Sequence, residues 1–76
     1  MTVTVKCLAT LAAYRPASGA VVRLPGPGPR VADLAAALGL PAAKITTILR
    51  NGAPADLWTP LFSGDAVTFL PTLSGG

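Results

Sequence analysis

Few residues in this chain carry groups suited to acid–base or covalent chemistry. There is no histidine and no glutamate, and the carboxylates are Asp33, Asp56 and Asp65. General acids and bases are most often His or Glu, with Asp, Lys, Tyr and Cys behind them, so a self-contained catalytic centre is disfavoured. Metal sites need clusters of Cys, His or carboxylate, and one cysteine, Cys7, with three scattered aspartates does not make one. Ser74 has no base near it in the sequence, which removes it as a nucleophile. What remains is the run PTLSGG at positions 71–76, with Gly75 and Gly76 last. A frayed end is the default expectation for such a run; the alternative is that it is the part of the molecule that reacts.

The other global properties narrow the class. Seventy-six residues, half of them apolar, suit one small domain with a single core. A lone cysteine allows no intrachain disulfide, which points to a cytoplasmic or redox-indifferent protein. The opening MTVTVK lacks a basic segment followed by an apolar one, so no signal peptide is predicted, and no run reaches transmembrane length. The net charge of +3 raises nucleic acid as a partner. Lys6, Arg15, Arg23, Arg30, Lys44 and Arg50 are spread singly, however, with little aromatic interleaving. Solvated surface charge is the better reading, with neither nucleic acid nor membrane as partner.

The elements that must position the tail follow from periodicity. TVTVKC alternates strictly, with Val3, Val5 and Cys7 on one face and Thr2, Thr4 and Lys6 on the other, which predicts a half-buried strand. ATLAAYRPASG reads as a connection, with Pro16 and Gly19 as turn signals. GAVVRL predicts a second strand, with Ala20, Val22 and Leu24 on one face. PGPGP at 25–29 reads as a stiff turn that aims the chain at a helix. In RVADLAAALGLP, Val31, Leu34, Ala35 and Leu38 form one apolar stripe, Gly39 stands where a left-handed residue ends a helix, and Pro41 blocks continuation. No capping side chain precedes Val31; Asp33 compensates in part through the helix dipole.

Downstream, a third strand over 45–50 runs into Asn51-Gly52, a strong hairpin signal because both residues tolerate positive φ. The return strand, 53–56, contains Pro54 and should lie at an edge. A tight turn at Ser63-Gly64-Asp65 leads to a last strand, 66–70, with Val67 and Phe69 facing inward and Thr68 and Leu70 outward. One amphipathic helix must cover one face of a mixed sheet of four to five strands, and the last strand finds its partner at the N-terminal strand. That arrangement is an α+β β-grasp of the ubiquitin-like type, with residues 1–70 as the domain and 71–76 as a flexible Gly-Gly tail.

With these stretches in view, the chain resembles the ubiquitin-like sulfur carriers along its whole length. This is the MoaD/ThiS-like group that holds the molybdopterin-synthase small subunit and the thiamine sulfur carrier. The likeness rests on LATLAAYRP, VADLAAALGLP, RNGAPADLWTPLFSGDAVTFLP and the final SGG. FLPTLSGG looks more like the molybdopterin type than the thiamine type. Relatives are commonly acidic and this chain is basic, which implies a partner surface charged oppositely to the usual one. Leu8 stands where many relatives carry an aromatic residue, and Pro-Thr-Leu replaces the more frequent Pro-Pro-Val.

The resemblance implies a carrier or co-substrate with no catalytic site and no bound cofactor. A ubiquitin-activating-type enzyme would adenylate the Gly76 carboxylate with ATP-Mg. A persulfide from a desulfurase or rhodanese would convert it to a thiocarboxylate, and an acceptor synthase subunit would take the sulfur for molybdenum-cofactor biosynthesis. Glycines at 75 and 76 fit a narrow channel because they have no Cβ and accept any backbone conformation. The free protein is expected as a monomer. Ordering the tail on docking costs entropy that contacts must offset, so a docking patch is expected among Leu70, Pro71, Leu73, Ser74, Leu8, Phe62 and Trp58. Trp58 fits equally a place over the end of the core or a partner contact, whereas burial preference favours the core for Leu61 and Phe62. Arg50 reads as a solvated strand residue, with an acidic partner as the alternative. Thiamine, cysteine, tRNA or secondary-metabolite sulfur are alternative destinations. A ubiquitin-like modifier joined through Gly76, or a non-covalent β-grasp module, are alternative roles.

Overall fold

The computed structural model describes residues 1–14, 21–26 and 28–71. The turn signals Pro16 and Gly19, and Ala20 of the second predicted strand, lie outside the described residues. Five strands, β1 (Thr2–Cys7), β2 (Val21–Arg23), β3 (Ile45–Arg50), β4 (Ala53–Ala55) and β5 (Ala66–Pro71), form one sheet in the order β2-β1-β5-β3-β4. β1 and β5 run parallel and the other neighbours are antiparallel. The helix α1 (Val31–Leu38) lies between β2 and β3 in sequence. This is the expected β-grasp, with β5 at the centre of the sheet.

One face of the sheet is buried and the other is open. Val3, Val5 and Cys7 of β1, Ile48 of β3, and Val67 and Phe69 of β5 share a core with Val31, Leu34 and Ala35 of the helix. Phe69 is fully buried, and on β1 every second residue is buried while its neighbours are exposed. The period-2 pattern therefore meets the helical stripe in a single layer, as two amphipathic surfaces with no other cover must do. Leu38, the last residue of the predicted stripe, is only half-buried.

The helix ends show how a sequence with no capping side chain still starts a helix. Arg30 is the N-cap residue in extended conformation, and its N–H donates to Asp33 Oδ2 at 2.7 Å. Asp33 thus acts by a direct hydrogen bond besides its place in the dipole field. The N–H groups of Val31 and Ala32 donate to the carbonyls of Thr59 and Leu57, so the loop after β4 supplies the partners that a first turn lacks. At the other end Gly39 has φ 69°. The Gly39 and Leu40 N–H groups reach Ala36 O and Ala35 O, a closed left-handed stop.

Three differences from the sequence reading have local causes. The stretch read as a plain connection forms a 3-10 helix, Ala9–Tyr14, and buries Leu11; a single apolar anchor leaves no periodicity to detect. β4 stops at Ala55 rather than 56, because Asp56 turns back to accept hydrogen bonds from the Trp58 N–H and the Thr59 hydroxyl. β5 extends one residue further than 66–70. Pro71 is buried and pairs with Ile45 beside an irregularity between Ile45 and Thr47, the setting in which a strand tolerates a residue without an N–H.

Candidate functional site

The candidate site is the end of β5, where the chain leaves the sheet. β5 is held on both sides, by β1 through Thr4↔Ala66 to Cys7↔Phe69 and by β3 through Arg50↔Val67 to Ile45↔Pro71. The β1 ladder ends at Phe69, and beyond it Pro71 is held by its pairing with Ile45 of β3. Of the predicted tail residues, Leu73, Ser74, Gly75 and Gly76 lie outside the described residues.

Two of the predicted docking residues, Leu70 and Leu8, stand together at this end, and a third, Trp58, is linked to it only through Ile45. Leu70, half-buried, faces away from the helix and pairs with Thr47. Leu8, 38% exposed, follows β1 directly, and its N–H donates to Phe69 O, which brings it level with Leu70. Trp58, 70% exposed, rims an open groove shared with Ala42, Ile45 and Leu57, and Ile45 is the partner of Pro71. The indole is therefore not a cover over the core. Pro71 itself is buried, which leaves it structural at this point of the sheet.

Phe62 is elsewhere. It sits before the first residue of β5, roughly 15–20 Å from the exit by strand rise, and the expectation that it joins the core fails. Leu61 is buried at 2%, but Phe62 is 59% exposed, because only one of two adjacent residues in an extended loop can point inward. Its ring instead lies 5.4 Å from the Arg50 guanidinium.

Arg50 is likewise not a merely solvated strand residue. Its Nε donates to Asp65 Oδ2 at 2.7 Å. Asp65 is buried and also accepts from Asn51 Nδ2 at 3.0 Å and from the Phe62 N–H at 2.9 Å. Burial alone would push the Asp65 carboxyl up. The Arg50 hydrogen bond, the Phe62 N–H, the Asn51 amide and the charge of Arg50 outweigh it and hold the pKa below its ordinary value. Asn51 completes the clamp by accepting the Ala66 N–H through Oδ1 and donating its own N–H to Ala66 O. Sequence reading treated the two turns, Asn51-Gly52 and Ser63-Gly64-Asp65, separately. The signal for their joining was that β3 and β5 must be neighbours, which sets both turns at one end of the sheet.

The Asp65 clamp is a fastening rather than a reaction centre, since both carboxylate oxygens of Asp65 are engaged. Among the described residues no three metal-ligating side chains converge, and no helix is long and apolar enough to cross a membrane. A model of the ThiS family matches residues 9–76. The chain belongs to the ThiS family. The solved structures include a similar one, SAMP1 from Haloferax volcanii, with TM-score 0.68, 25% identity and all of both chains covered. None of the curated proteins matches the sequence. ThiS-family chains are ubiquitin-like small proteins, generally carriers rather than catalysts. In this ThiS-family chain the family match runs through both glycines.

Proposed function

We propose that this ThiS-family chain is a sulfur carrier that reacts through the carboxylate of Gly76. A carboxylate oxygen attacks the α-phosphorus of ATP in a ubiquitin-activating-type enzyme, and pyrophosphate leaves. A persulfide sulfur supplied by a desulfurase or rhodanese then displaces AMP from the acyl carbon. A thiol releases the resulting acyl disulfide as the thiocarboxylate, which donates sulfur to an acceptor synthase in the cytoplasm. The protein's own part is positional: a central strand delivers the tail from a fixed point. The observation that carries this reading is the family match through Gly75 and Gly76, on a fold whose last strand is fastened on both sides.

The acceptor we infer is a molybdopterin synthase, with this chain as its small subunit, on the likeness of FLPTLSGG to that type. The test is incubation with the organism's activating enzyme, ATP-Mg and a desulfurase, followed by intact-mass measurement. The expected result is replacement of one terminal oxygen by sulfur; an unchanged mass with the complete set rejects the reading. Adducts to lysines of other proteins would reassign the chain as a modifier. Adding the synthase large subunit and the molybdopterin precursor to the loaded carrier should consume the thiocarboxylate.

A further inference from the structure

On the sheet face turned away from α1, Thr2, Thr4, Lys6, Val21, Arg23 and Thr47 are exposed. Alternation and register place its side chains in rows across the sheet. Arg23 stands opposite Thr2, and Val21 opposite Thr4. Lys6 is level with Thr68, which is level with Leu49. Leu8 and Leu70 form the row nearest the exit of β5. Lys6, Arg23, Leu8 and Val21 are exposed, and Leu49 and Leu70 half-buried.

Both charges on this face are positive. The three side-chain carboxylates are elsewhere: Asp33 on the first turn of the helix, Asp56 in the loop after β4, and Asp65 buried against Arg50. The one ion pair among the described residues is that of Arg50 with Asp65. Among the described residues, the open face therefore presents two cations with no side-chain carboxylate beside them, grading into aliphatic side chains toward the exit.

We propose that this open face is a docking surface for an acidic patch on the activating enzyme, with Lys6 and Arg23 meeting its carboxylates and Leu8 and Leu70 meeting its apolar rim. The proposal rests on the sulfur-carrier reading and names the chemistry of its partner. Charge complementarity selects the acidic surface, and it steers encounter in a salt-dependent way. A protein fits better than a nucleic acid. The face carries two separated cations and no aromatic ring for bases to stack on, while its aliphatic row at the exit suits an apolar protein rim. A partner seated here also lies beside Pro71, so it receives the tail without spanning the molecule.

The test is ATP–pyrophosphate exchange by the organism's activating enzyme, with the full chain as carrier substrate. The double variant Lys6→Glu/Arg23→Glu is set against the charge-matched Arg30→Glu/Lys44→Glu, whose residues lie on the helix N-cap and before β3. The open-face double should raise the KM for the carrier roughly tenfold or more with kcat little changed, and the control far less. Added salt should raise the wild-type KM and leave that of the open-face double nearly flat. Thermal melts check folding. Should the glutamate double unfold, Lys6→Gln/Arg23→Gln should still raise KM, by a smaller factor.

Equal KM changes in both doubles, or none in the open-face double, would overturn the docking proposal while leaving the sulfur-carrier reading intact. No exchange with the wild-type chain would overturn both. Binding of a short single-stranded RNA at physiological salt, lost in the open-face double, would instead reassign the face to nucleic acid.

Discussion

At its first residue β5 is clamped by charge, and at its last it is bordered by apolar side chains. Asp65, just before Ala66, takes hydrogen bonds from Arg50, Asn51 and the Phe62 backbone, and both flanking turns close there. At the other end Pro71 pairs with Ile45, Leu8 bonds to Phe69 O beside Leu70, and Trp58 rims a groove that Ile45 also lines. The clamped end is held by charge-assisted hydrogen bonds, with the exposed Phe62 ring over Arg50, and the exit end carries the exposed Leu8. The contrast separates two tasks along one strand. One end fixes where the chain is, and the other leaves surface and chain for a partner.

The strongest test of this division deletes Gly75 and Gly76. Sulfur loading should be abolished in the mass assay while the melting temperature stays within error, since the removed residues lie beyond both ladders of β5. A large loss of stability would break the division. Next in size is Phe69→Ala in the middle of the strand, which empties a fully buried site and should cost about 3–5 kcal/mol in denaturant unfolding.

At the clamped end, Asp65→Asn should cost about 2 kcal/mol at neutral pH by weakening a buried charged hydrogen-bond set. Its pH signature has a definite sign. A carboxylate with a lower pKa when folded than when unfolded adds stability that is complete above the unfolded value and is lost as pH falls through the folded one. Wild-type stability should therefore drop below about pH 4 more steeply than that of Asp65→Asn. Parallel curves would show that the clamp does not hold its charge. A smaller effect is expected from Gly52→Ala, where φ is 83°: about 1 kcal/mol, because a Cβ is strained in that region.

The smallest stability change belongs to the exit end. Trp58→Ala should fall within about 0.5 kcal/mol of wild type, since the indole is mostly exposed. Its effect, if the exit end serves docking, should appear as a raised KM for the activating enzyme. A stability loss as large as that of Asp65→Asn would erase the contrast between the two ends.

Much of this was legible without coordinates, and the reasons differ by element. β1, α1 and β3 were readable because each buries one face, and burial writes a period of 2 or 3.6 into the residues. Gly39 and the Asn51-Gly52 turn were readable because positive φ restricts which residues can stand there. The 3-10 helix at Ala9–Tyr14 was not readable, since one buried leucine makes no period. Phe62 and Arg50 were misplaced for a common reason: each is satisfied by a neighbour that the fold brings from another turn.

The sequence by itself determined the alternation, the single helix, the absence of histidine and glutamate and the glycine pair at positions 75 and 76, because these depend on residue type and near spacing alone. Tertiary structure decided which side chains share an end of the sheet. It put Leu8 and Leu70 beside the exit, sent Phe62 to the opposite end, paired Arg50 with a buried Asp65, and left Lys6 and Arg23 on a face without carboxylates. Each of these depends on strand order and register, which join residues far apart in the chain and leave no local trace.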